Sequence, residues 1–144
     1  MPYIQKSITD KWQTPIDFYN KLNEEFHFNF DPCPIDWNQG DADGLKMDWG
    51  TITFCNPPYS QTKFWIKKAH DEWVKGKTVV MLINACTDTV AFHEYVLPNA
   101  EIRFIRGRLC FINPLYPLKK TPNPKASILC IFKHDALGNG RTIA

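Results

Sequence analysis

The sequence lacks paired cysteines, long apolar runs and a strong excess of charge of either sign. Its cysteines are odd in number, widely spread and without a C-x-x-C pair: Cys33, Cys55, Cys86, Cys110 and Cys130. This spacing argues against a zinc site, a redox dithiol or a disulfide framework, and favours buried thiols in a reducing compartment. No apolar run is long enough to cross a membrane and no secretory leader is evident. We therefore expect a soluble, cytoplasmic protein with no metal and no membrane partner.

Length and composition favour one globular domain. The chain has 144 residues, 44% of them hydrophobic, which is enough for one core but leaves little room for a second. We expect a single domain over residues 1–144, with a loose segment at 1–11. Seventeen basic residues against 15 acidic ones give a net charge of +2, which neither requires nor excludes a nucleic-acid partner. Aromatic residues make up 14% and supply either core packing or platforms for stacked bases.

Helices are predicted where apolar residues recur at helical spacing. The first helix has Thr14 as its candidate N-cap and Pro15 in the first helical position. Its apolar residues are Ile16, Tyr19, Leu22 and Phe26. The second helix has Ser60 as its candidate N-cap and ends at Gly76. Its apolar face consists of Trp65, Ile66, Ala69 and Trp73. A short third helix, capped by Thr87 or Asp88, is stopped by Pro98.

Strands are predicted in the apolar segments between these helices. The segment FHFNFD alternates Phe with polar residues up to Asp31, and a second strand covers Thr51 to Cys55. The unbroken apolar run at 78–83 is typical of a central strand covered on both faces, and residues 126–133 give a last strand. The segments at 102–105 and 109–112 form a hairpin or one bulged strand, followed by an exposed Pro-rich loop at 114–124. Alternating strands and helices predict an α/β sheet, parallel at its centre, with ligands beyond the carboxyl ends of its strands.

Asn-Pro-Pro-Tyr at 56–59 follows the second strand directly and suggests a chemical role. Prolines have no amide hydrogen, so this segment stops strand pairing and leaves more acceptors than donors. The side-chain carbonyl of Asn56 and the backbone carbonyl of Pro57 would suit an NH₂ group, and Tyr59 offers a flat face for stacking. These features fit an amino group on a planar ring, such as adenine. A simple strand-terminating turn is the alternative reading of the tetrapeptide alone.

Several motifs in order resemble the phage DNA N6-adenine methyltransferase (Dam-like) family. They are Trp12-Gln13-Thr14-Pro15, Phe30-Asp31-Pro32-Cys33-Pro34, Asp43-Gly44-Leu45, Asn56-Pro57-Pro58-Tyr59-Ser60, Thr87-Asp88-Thr89 with Phe92-His93, and the run from Arg103 to Phe111. The resemblance covers roughly residues 12–132. It implies a compact Rossmann-like methyltransferase fold with a mostly parallel central sheet. It also implies methyl transfer from S-adenosylmethionine to the N6 amine of adenine in DNA, with the base flipped out of a duplex. The length of the chain leaves no space for a separate target-recognition domain.

The same resemblance implies roles for individual residues. The catalytic residues would be Asn56, Pro57, Pro58 and Tyr59. The cofactor would be bound by Thr14, Pro15, Asp31, Pro32, Cys33, Asp43 and Asn56, with Asp43 accepting from an amino group of the cofactor. A phage-encoded member of the family would act in the cytoplasm of the host cell.

Basic residues towards the carboxyl end are candidates for phosphate contact. They are Arg106, Arg108, Lys119, Lys120 and Lys125. Solvated surface charge is an equal alternative for the lysines. Phe111 would support a flipped base or, with more weight, pack in the core.

Other readings remain open from the sequence. The turn after Asp31 lacks the glycines of typical methyltransferases, so a catalytically silent nucleic-acid-binding module of the same fold is one alternative. RNA adenine and a protein glutamine amide are alternative acceptors for the same tetrapeptide. His70, beside Asp71, is expected to face solvent, and His93 to be structural. The thiols of Cys55 and Cys86, both at strand ends, are expected to be inert.

Overall fold

Two α-helices and seven strands form the described part of the chain. A computed structural model describes residues 13–34, 43–112, 120–122, 125–134 and 141–143, and the segment predicted to be loose at 1–11 lies outside them. The helices are α1 (Ile16–Phe26) and α2 (Thr62–Val74). The strands are β1 (Ile52–Cys55), β2 (Thr78–Asn84), β3 (Glu101–Phe104), β4 (Cys110–Ile112), β5 (Lys120–Pro122), β6 (Ser127–Phe132) and β7 (Arg141–Ile143).

Helix α1 forms where the sequence predicts it, but its start differs. Pro15 lies one residue before the helix in an extended conformation, and its carbonyl accepts the amide hydrogen of Tyr19 at 3.0 Å. The predicted cap by Thr14 and the predicted helical position of Pro15 are therefore wrong, because Thr14 lies one residue too early to cap. Leu22 packs against the sheet, whereas Ile16 is exposed on the first turn.

Helix α2 is also confirmed, and it begins differently as well. A short 3₁₀ turn, Tyr59–Gln61, precedes it, so Gln61 rather than Ser60 lies at its N-cap, and no side chain caps the helix there. Instead the Thr62 hydroxyl donates to the Tyr59 carbonyl at 3.0 Å. Gly76 turns the chain after the helix with φ +108°, as predicted.

The main sheet contains five strands in the order β1-β2-β6-β3-β7. β1 pairs with β2 and β3 with β7 in parallel, whereas β6 is antiparallel to both of its neighbours. The expectation of a mostly parallel sheet is therefore wrong: the sheet is mixed. β6 is buried along its whole length, and a continuous apolar run of this kind does not reveal the direction in which a strand runs.

The chain between β3 and β6 forms a second, two-stranded sheet. β4 pairs with β5 antiparallel, and neither strand joins the main sheet. The predicted hairpin or bulged strand over 102–105 and 109–112 is therefore wrong. Gly107, with φ +80°, lies in the turn that leads the chain away from the main sheet after β3. The segment predicted as an exposed loop at 114–124 contains β5.

The core is divided between the two faces of the sheet, and β2 contributes to both. Val79, Met81 and Ile83 pack in the cluster that includes residues of α2. Val80 and Leu82 pack in the cluster with Leu22 of α1. This alternation confirms the prediction that β2 is central and covered on both faces.

A short π-helical segment, Phe92–Val96, replaces the predicted third helix and packs on the α2 side of the sheet. The Thr89 hydroxyl accepts the amide hydrogen of Phe92 at 3.2 Å. Thr89 thus takes the position that was expected for Thr87 or Asp88.

Glu72 joins α2 to the chain before β1. Its side chain is fully buried and accepts hydrogen bonds from the Trp49 amide at 2.8 Å and from Lys68, Lys75 and Lys77 at 3.2, 2.7 and 2.7 Å. Burial alone would raise the pKa of Glu72, but these hydrogen bonds outweigh burial and lower the pKa to about 2. Trp49 in turn donates its indole hydrogen to the Gly44 carbonyl at 2.7 Å. The carboxylate therefore supports the turn that contains Gly44.

Replacement of Glu72 by Gln should lower the free energy of unfolding by about 2–3 kcal/mol, because three lysines lose a shared buried partner. Urea denaturation measures the change, with Glu24→Gln on the exposed face of α1 as the matched control. Because the folded pKa of Glu72 is lowered, its contribution to stability is present above pH 4.5 and is lost as the pH falls towards 2. The variant should therefore lose less stability over that interval than the wild type. Equal acid sensitivity of the two proteins would contradict this role.

Candidate active site

Two chain segments with polar residues end at the same edge of the sheet. Phe30 bridges Thr53 in parallel, and its carbonyl accepts the amide hydrogen of Phe54 at 3.0 Å. The Phe30 segment therefore lies beside β1 on the side opposite β2. Since parallel segments end at the same edge, Asp31 and Asn56 both emerge there. The predicted strand ending at Asp31 is therefore wrong: this segment pairs with β1 only through the single bridge at Phe30.

The Asn56–Tyr59 segment leaves the sheet directly after β1. Pro57 and Pro58 are buried, and Asn56 and Tyr59 are half-buried. The Pro58 carbonyl accepts the amide hydrogen of Gln61 at 3.1 Å, which starts the 3₁₀ turn. The Pro57 carbonyl takes part in none of the hydrogen bonds of that turn. The Asn56 side-chain amide, the Pro57 carbonyl and the Tyr59 ring thus all belong to the four residues that directly follow β1.

Thr14 contacts Asn56 at this edge of the sheet. The Nδ2 atom of Asn56 donates to the Oγ1 atom of Thr14 at 3.1 Å. The two residues are 42 positions apart, and the chain before α1 brings them together. Sequence reasoning expected Thr14 to cap a helix and missed this contact, because the spacing of residues along α1 says nothing about what precedes the helix.

Asp31 begins a tight turn at the same edge. Its Oδ1 atom accepts the amide hydrogen of Cys33 at 2.9 Å. Asp31 is exposed, whereas Pro32 and Cys33 are buried. Burial raises the pKa of the Cys55 thiol well above its usual value, and neighbouring Cys33 and Asp31 raise it further, in agreement with the expected inert thiol.

The charge of Asp31 also reaches α1. Burial raises the pKa of the Tyr19 hydroxyl, and the negative charge of Asp31 adds to the rise. Asp31 therefore lies close enough to both α1 and β1 for its charge to act on groups of each. This position is the one expected for the residue that ends the first strand-like segment.

A second turn, at Asp43 and Gly44, packs against the Asp31 turn. The Oδ1 atom of exposed Asp43 accepts the amide hydrogen of Leu45 at 2.9 Å. A Cβ atom on Gly44 would lie 2.2 Å from the Pro32 carbonyl oxygen and 2.8 Å from the Trp65 ring. Any residue with a Cβ atom would clash with these groups, so glycine at position 44 allows the Asp31 turn and the Asp43 turn to pack in contact. In the sequence, only the position of Gly44 between Asp43 and Leu45 indicates that this glycine matters.

Arginines and a lysine lie along the same edge of the sheet. Arg106 and Arg108 are exposed and follow the carboxyl end of β3, which points to the same edge as that of β1. Lys125 is exposed and precedes β6, with its Nζ atom 3.9 Å from the Cys86 sulfur. Three strand spacings separate β1 from β3, or about 14 Å. Lys119 lies outside the described residues, and of Lys120 only the backbone, in β5, is described.

The structure also shows the surroundings of the two candidate histidines. His70 is half-buried between the rings of Trp73 and Tyr95, with Nδ1 at 3.1 Å from Asp71, so the expectation of solvent exposure is wrong. Its contacts with these two rings, both tilted by about 50° to the imidazole, explain its partial burial. His93 is exposed, with its ring against the edge of Phe92. Of Phe111 only the backbone is described, in β4.

Within the described ranges, no cluster of three or more His, Cys, Asp or Glu residues could hold a metal ion. No helix of the described chain has the length and apolar character needed to span a bilayer. All five cysteines are in described positions, and none forms a disulfide.

A cavity of about 310 Å³ lies at the opposite edge of the sheet. It is lined by Glu25, Phe26, Ile52, Thr78 and Lys133. Ile52 and Thr78 are the first residues of β1 and β2, so the cavity is at the amino end of the strands. It is therefore separated from Asn56 by the length of β1.

Comparison with known proteins gives the family. A family model described as DNA N-6-adenine-methyltransferase (Dam) matches residues 3–140. A curated relative, the DNA N-6-adenine-methyltransferase of Escherichia phage T1, is 25% identical over 152 aligned residues. That alignment covers 88% of this chain but 64% of the relative's length.

Among solved structures, one match is the crystal structure of a predicted O-methyltransferase from Agrobacterium tumefaciens. It has a TM-score of 0.39 and 19% identity, and the match covers 69% of this chain and 43% of that protein. The family model, by contrast, spans nearly the whole sequence, including both carboxylate turns and the Asn56–Tyr59 segment. This chain belongs to the DNA N-6-adenine-methyltransferase (Dam) family.

Proposed function

We propose that this chain transfers a methyl group from S-adenosylmethionine to the exocyclic N6 amine of adenine in DNA. One observation carries the proposal: in a chain of this family, Asn-Pro-Pro-Tyr emerges at the sheet edge where the Asp31 turn also emerges, with the Asp43 turn packed against it. We also propose that residues 1–144 form one domain, a compact and mixed-sheet variant of the Rossmann-like methyltransferase fold. Its support is the position of these turns at the carboxyl edge of the strands.

The residues at this edge have the chemistry that the cofactor needs. Its ammonium group, adenine amine and ribose hydroxyls are donors, and the exposed carboxylates of Asp31 and Asp43 are acceptors held in place by backbone amides. We assign Asp43 to an amino group and the Asp31–Cys33 turn, with Thr14 and Pro15, to the methionine part. Asn56 lies where cofactor and target base would meet. When bound, S-adenosylmethionine would supply an electrophilic sulfonium methyl group: the methyl would pass to the amine nitrogen, the cofactor would be left as a neutral thioether, and the surplus proton of the amine would leave to solvent.

The Asn56–Tyr59 segment supplies the groups that hold the amine. The lone pair of an adenine amine is delocalised into the ring, so the amine is a poor nucleophile. The amide oxygen of Asn56 and the carbonyl of Pro57 accept its two hydrogens, which favours a localised lone pair on nitrogen. Tyr59 stacks against the base, and buried Pro57 and Pro58 keep the backbone in position and exclude water. These roles need no metal ion.

The basic residues of the same edge are proposed to contact DNA phosphates. Arg106 and Arg108 are exposed and follow β3, which lies three strand spacings, or roughly 14 Å, from β1. We extend this assignment to Lys119 and Lys120 on the evidence of the sequence alone. Arginines at this distance would hold the phosphate backbone of a DNA strand while one of its bases is flipped towards Asn56.

A transfer assay tests the proposed function. The protein is incubated with methyl-labelled S-adenosylmethionine and duplex DNA, single-stranded DNA or RNA, and the product is analysed base by base. We expect N6-methyladenine in DNA. If the labelled methyl group is found only in RNA, the acceptor is RNA adenine and not DNA adenine. Binding of DNA without transfer or cofactor binding, measured by calorimetry, would favour the silent module and contradict an enzyme.

Two substitutions separate the proposed roles. Asn56→Ala should lower kcat at least about a hundredfold, because the adenine amine loses a hydrogen-bond acceptor that stabilises the transition state. Its Kd for the cofactor should change by less than about threefold. Asp43→Ala should weaken cofactor binding about tenfold or more, because a charged acceptor is lost. Asp17→Ala, an exposed carboxylate on α1, is the matched control. Equal loss of cofactor binding in the Asn56 and Asp43 variants would contradict these assignments.

A further inference from the structure

The hydrogen bond from the Asn56 Nδ2 atom to the Thr14 Oγ1 atom has a consequence for the orientation of the catalytic amide. We infer that Thr14 is a positioning residue: it holds the rotation of the Asn56 side chain so that its oxygen, and not its NH₂ group, faces the target amine. This inference rests on the proposed function, because it assumes that Asn56 accepts a hydrogen bond from an amine. The contact is 3.1 Å long and partly buried.

The orientation matters because the two ends of an amide are nearly equal in size and opposite in chemistry. The oxygen accepts hydrogen bonds, and the NH₂ group donates them. An amine substrate is itself a donor, so an Asn56 rotated by half a turn would set one donor against another. Strand pairing of β1 fixes the backbone up to Cys55 but does not set the terminal torsion of Asn56. The Thr14 hydroxyl, which lies outside the strand, is a partner that favours one orientation.

Thr14 is well placed to be that partner. A β-branched side chain has few rotamers, and a residue before proline has a restricted backbone. Pro15, with φ −56°, is anchored in turn by its carbonyl, which accepts the Tyr19 amide hydrogen at 3.0 Å. The hydroxyl of Thr14 is thus held by the start of α1. With Nδ2 of Asn56 directed at this hydroxyl, Oδ1 is directed away from it.

The chain contains a matching pair at the other end of β1. The Nδ2 atom of Asn29 donates to the Oγ1 atom of Thr51 at 2.6 Å, and the Oδ1 atom of Asn29 accepts the amide hydrogen of Ile52 at 3.1 Å. There the same Asn–Thr contact leaves the amide oxygen directed at an N–H donor. At Asn56 the corresponding donor would be the amine of the substrate. The Asn29–Thr51 pair is therefore both a structural parallel and a control.

Three variants test the inference, with kcat measured at saturating DNA and cofactor. Thr14→Val keeps the shape and removes the acceptor, and it should lower kcat about ten- to a hundredfold through misplacement of the amide oxygen. Thr14→Ser keeps the hydroxyl and should restore kcat to within about threefold of the wild type. Thr51→Val removes the matching contact at the opposite edge and should leave kcat unchanged. Thermal unfolding of each variant shows whether the folded state is retained.

The effect of Thr14→Val on kcat in an Asn56→Asp variant distinguishes a positioning role of Thr14 from a merely structural one. In the Asn56→Asp variant both oxygens of the side chain are acceptors, so no donor end has to be turned away. Adding Thr14→Val to Asn56→Asp should therefore lower kcat by less than about threefold. A loss of kcat by the same factor in the wild-type and Asn56→Asp backgrounds would overturn the inference.

The failures of the two proposals are distinguishable. An active wild type whose kcat is unchanged by Thr14→Val overturns the positioning role and leaves the proposed function standing. The same holds if Thr14→Val weakens cofactor binding but retains kcat at saturation, which would make Thr14 a cofactor contact only. A folded wild type that transfers no methyl group to any nucleic acid contradicts the proposed function itself.

Discussion

The parallel pairing of β1 with the Phe30 segment on one side and with β2 on the other is the constraint on which the candidate site depends. Parallel neighbours end at the same edge, so Asp31 and Asn56 lie at one edge of the sheet although 25 positions separate them along the chain. The Asp43 turn reaches the same place by a different route. Gly44 packs on the Pro32 carbonyl, and its own carbonyl is held by Trp49, which Glu72 anchors to α2.

The two prolines after β1 explain how a strand can end in acceptors that strand pairing does not use. Neither proline has an amide hydrogen, so pairing with β2 stops at Cys55. The 3₁₀ turn then uses the carbonyls of Pro58 and Tyr59, while that of Pro57 takes part in none of its bonds. A strand end of this kind suits a ligand that brings its own donors. The proposed amine is such a ligand, and the bond from Asn56 to Thr14 would decide which end of the amide meets it.

Much of the fold could be predicted because periodicity reports burial. The continuous apolar run of β2, and the helical spacing along α1 and α2, correspond to faces that the structure buries. The direction of β6 could not be predicted, since a strand buried on both faces has the same pattern in either direction. The end of β1 before residues 56–59 was predictable because two consecutive prolines stop strand pairing, whereas the chemical role of this segment stays a prediction. The Thr14 contact was not, because side-chain pairs distant in sequence leave no periodic signal.

Amide chemical-shift mapping of the protein on addition of S-adenosylmethionine tests the central claim most directly, because it reports on both edges of the sheet at once. The account predicts that the amide signals of Asp31, Asp43 and Asn56 move, while those of Glu25, Thr78 and Lys133 around the cavity at the amino edge do not. Movement at the cavity with no change at Asp31, Asp43 or Asn56 would contradict it.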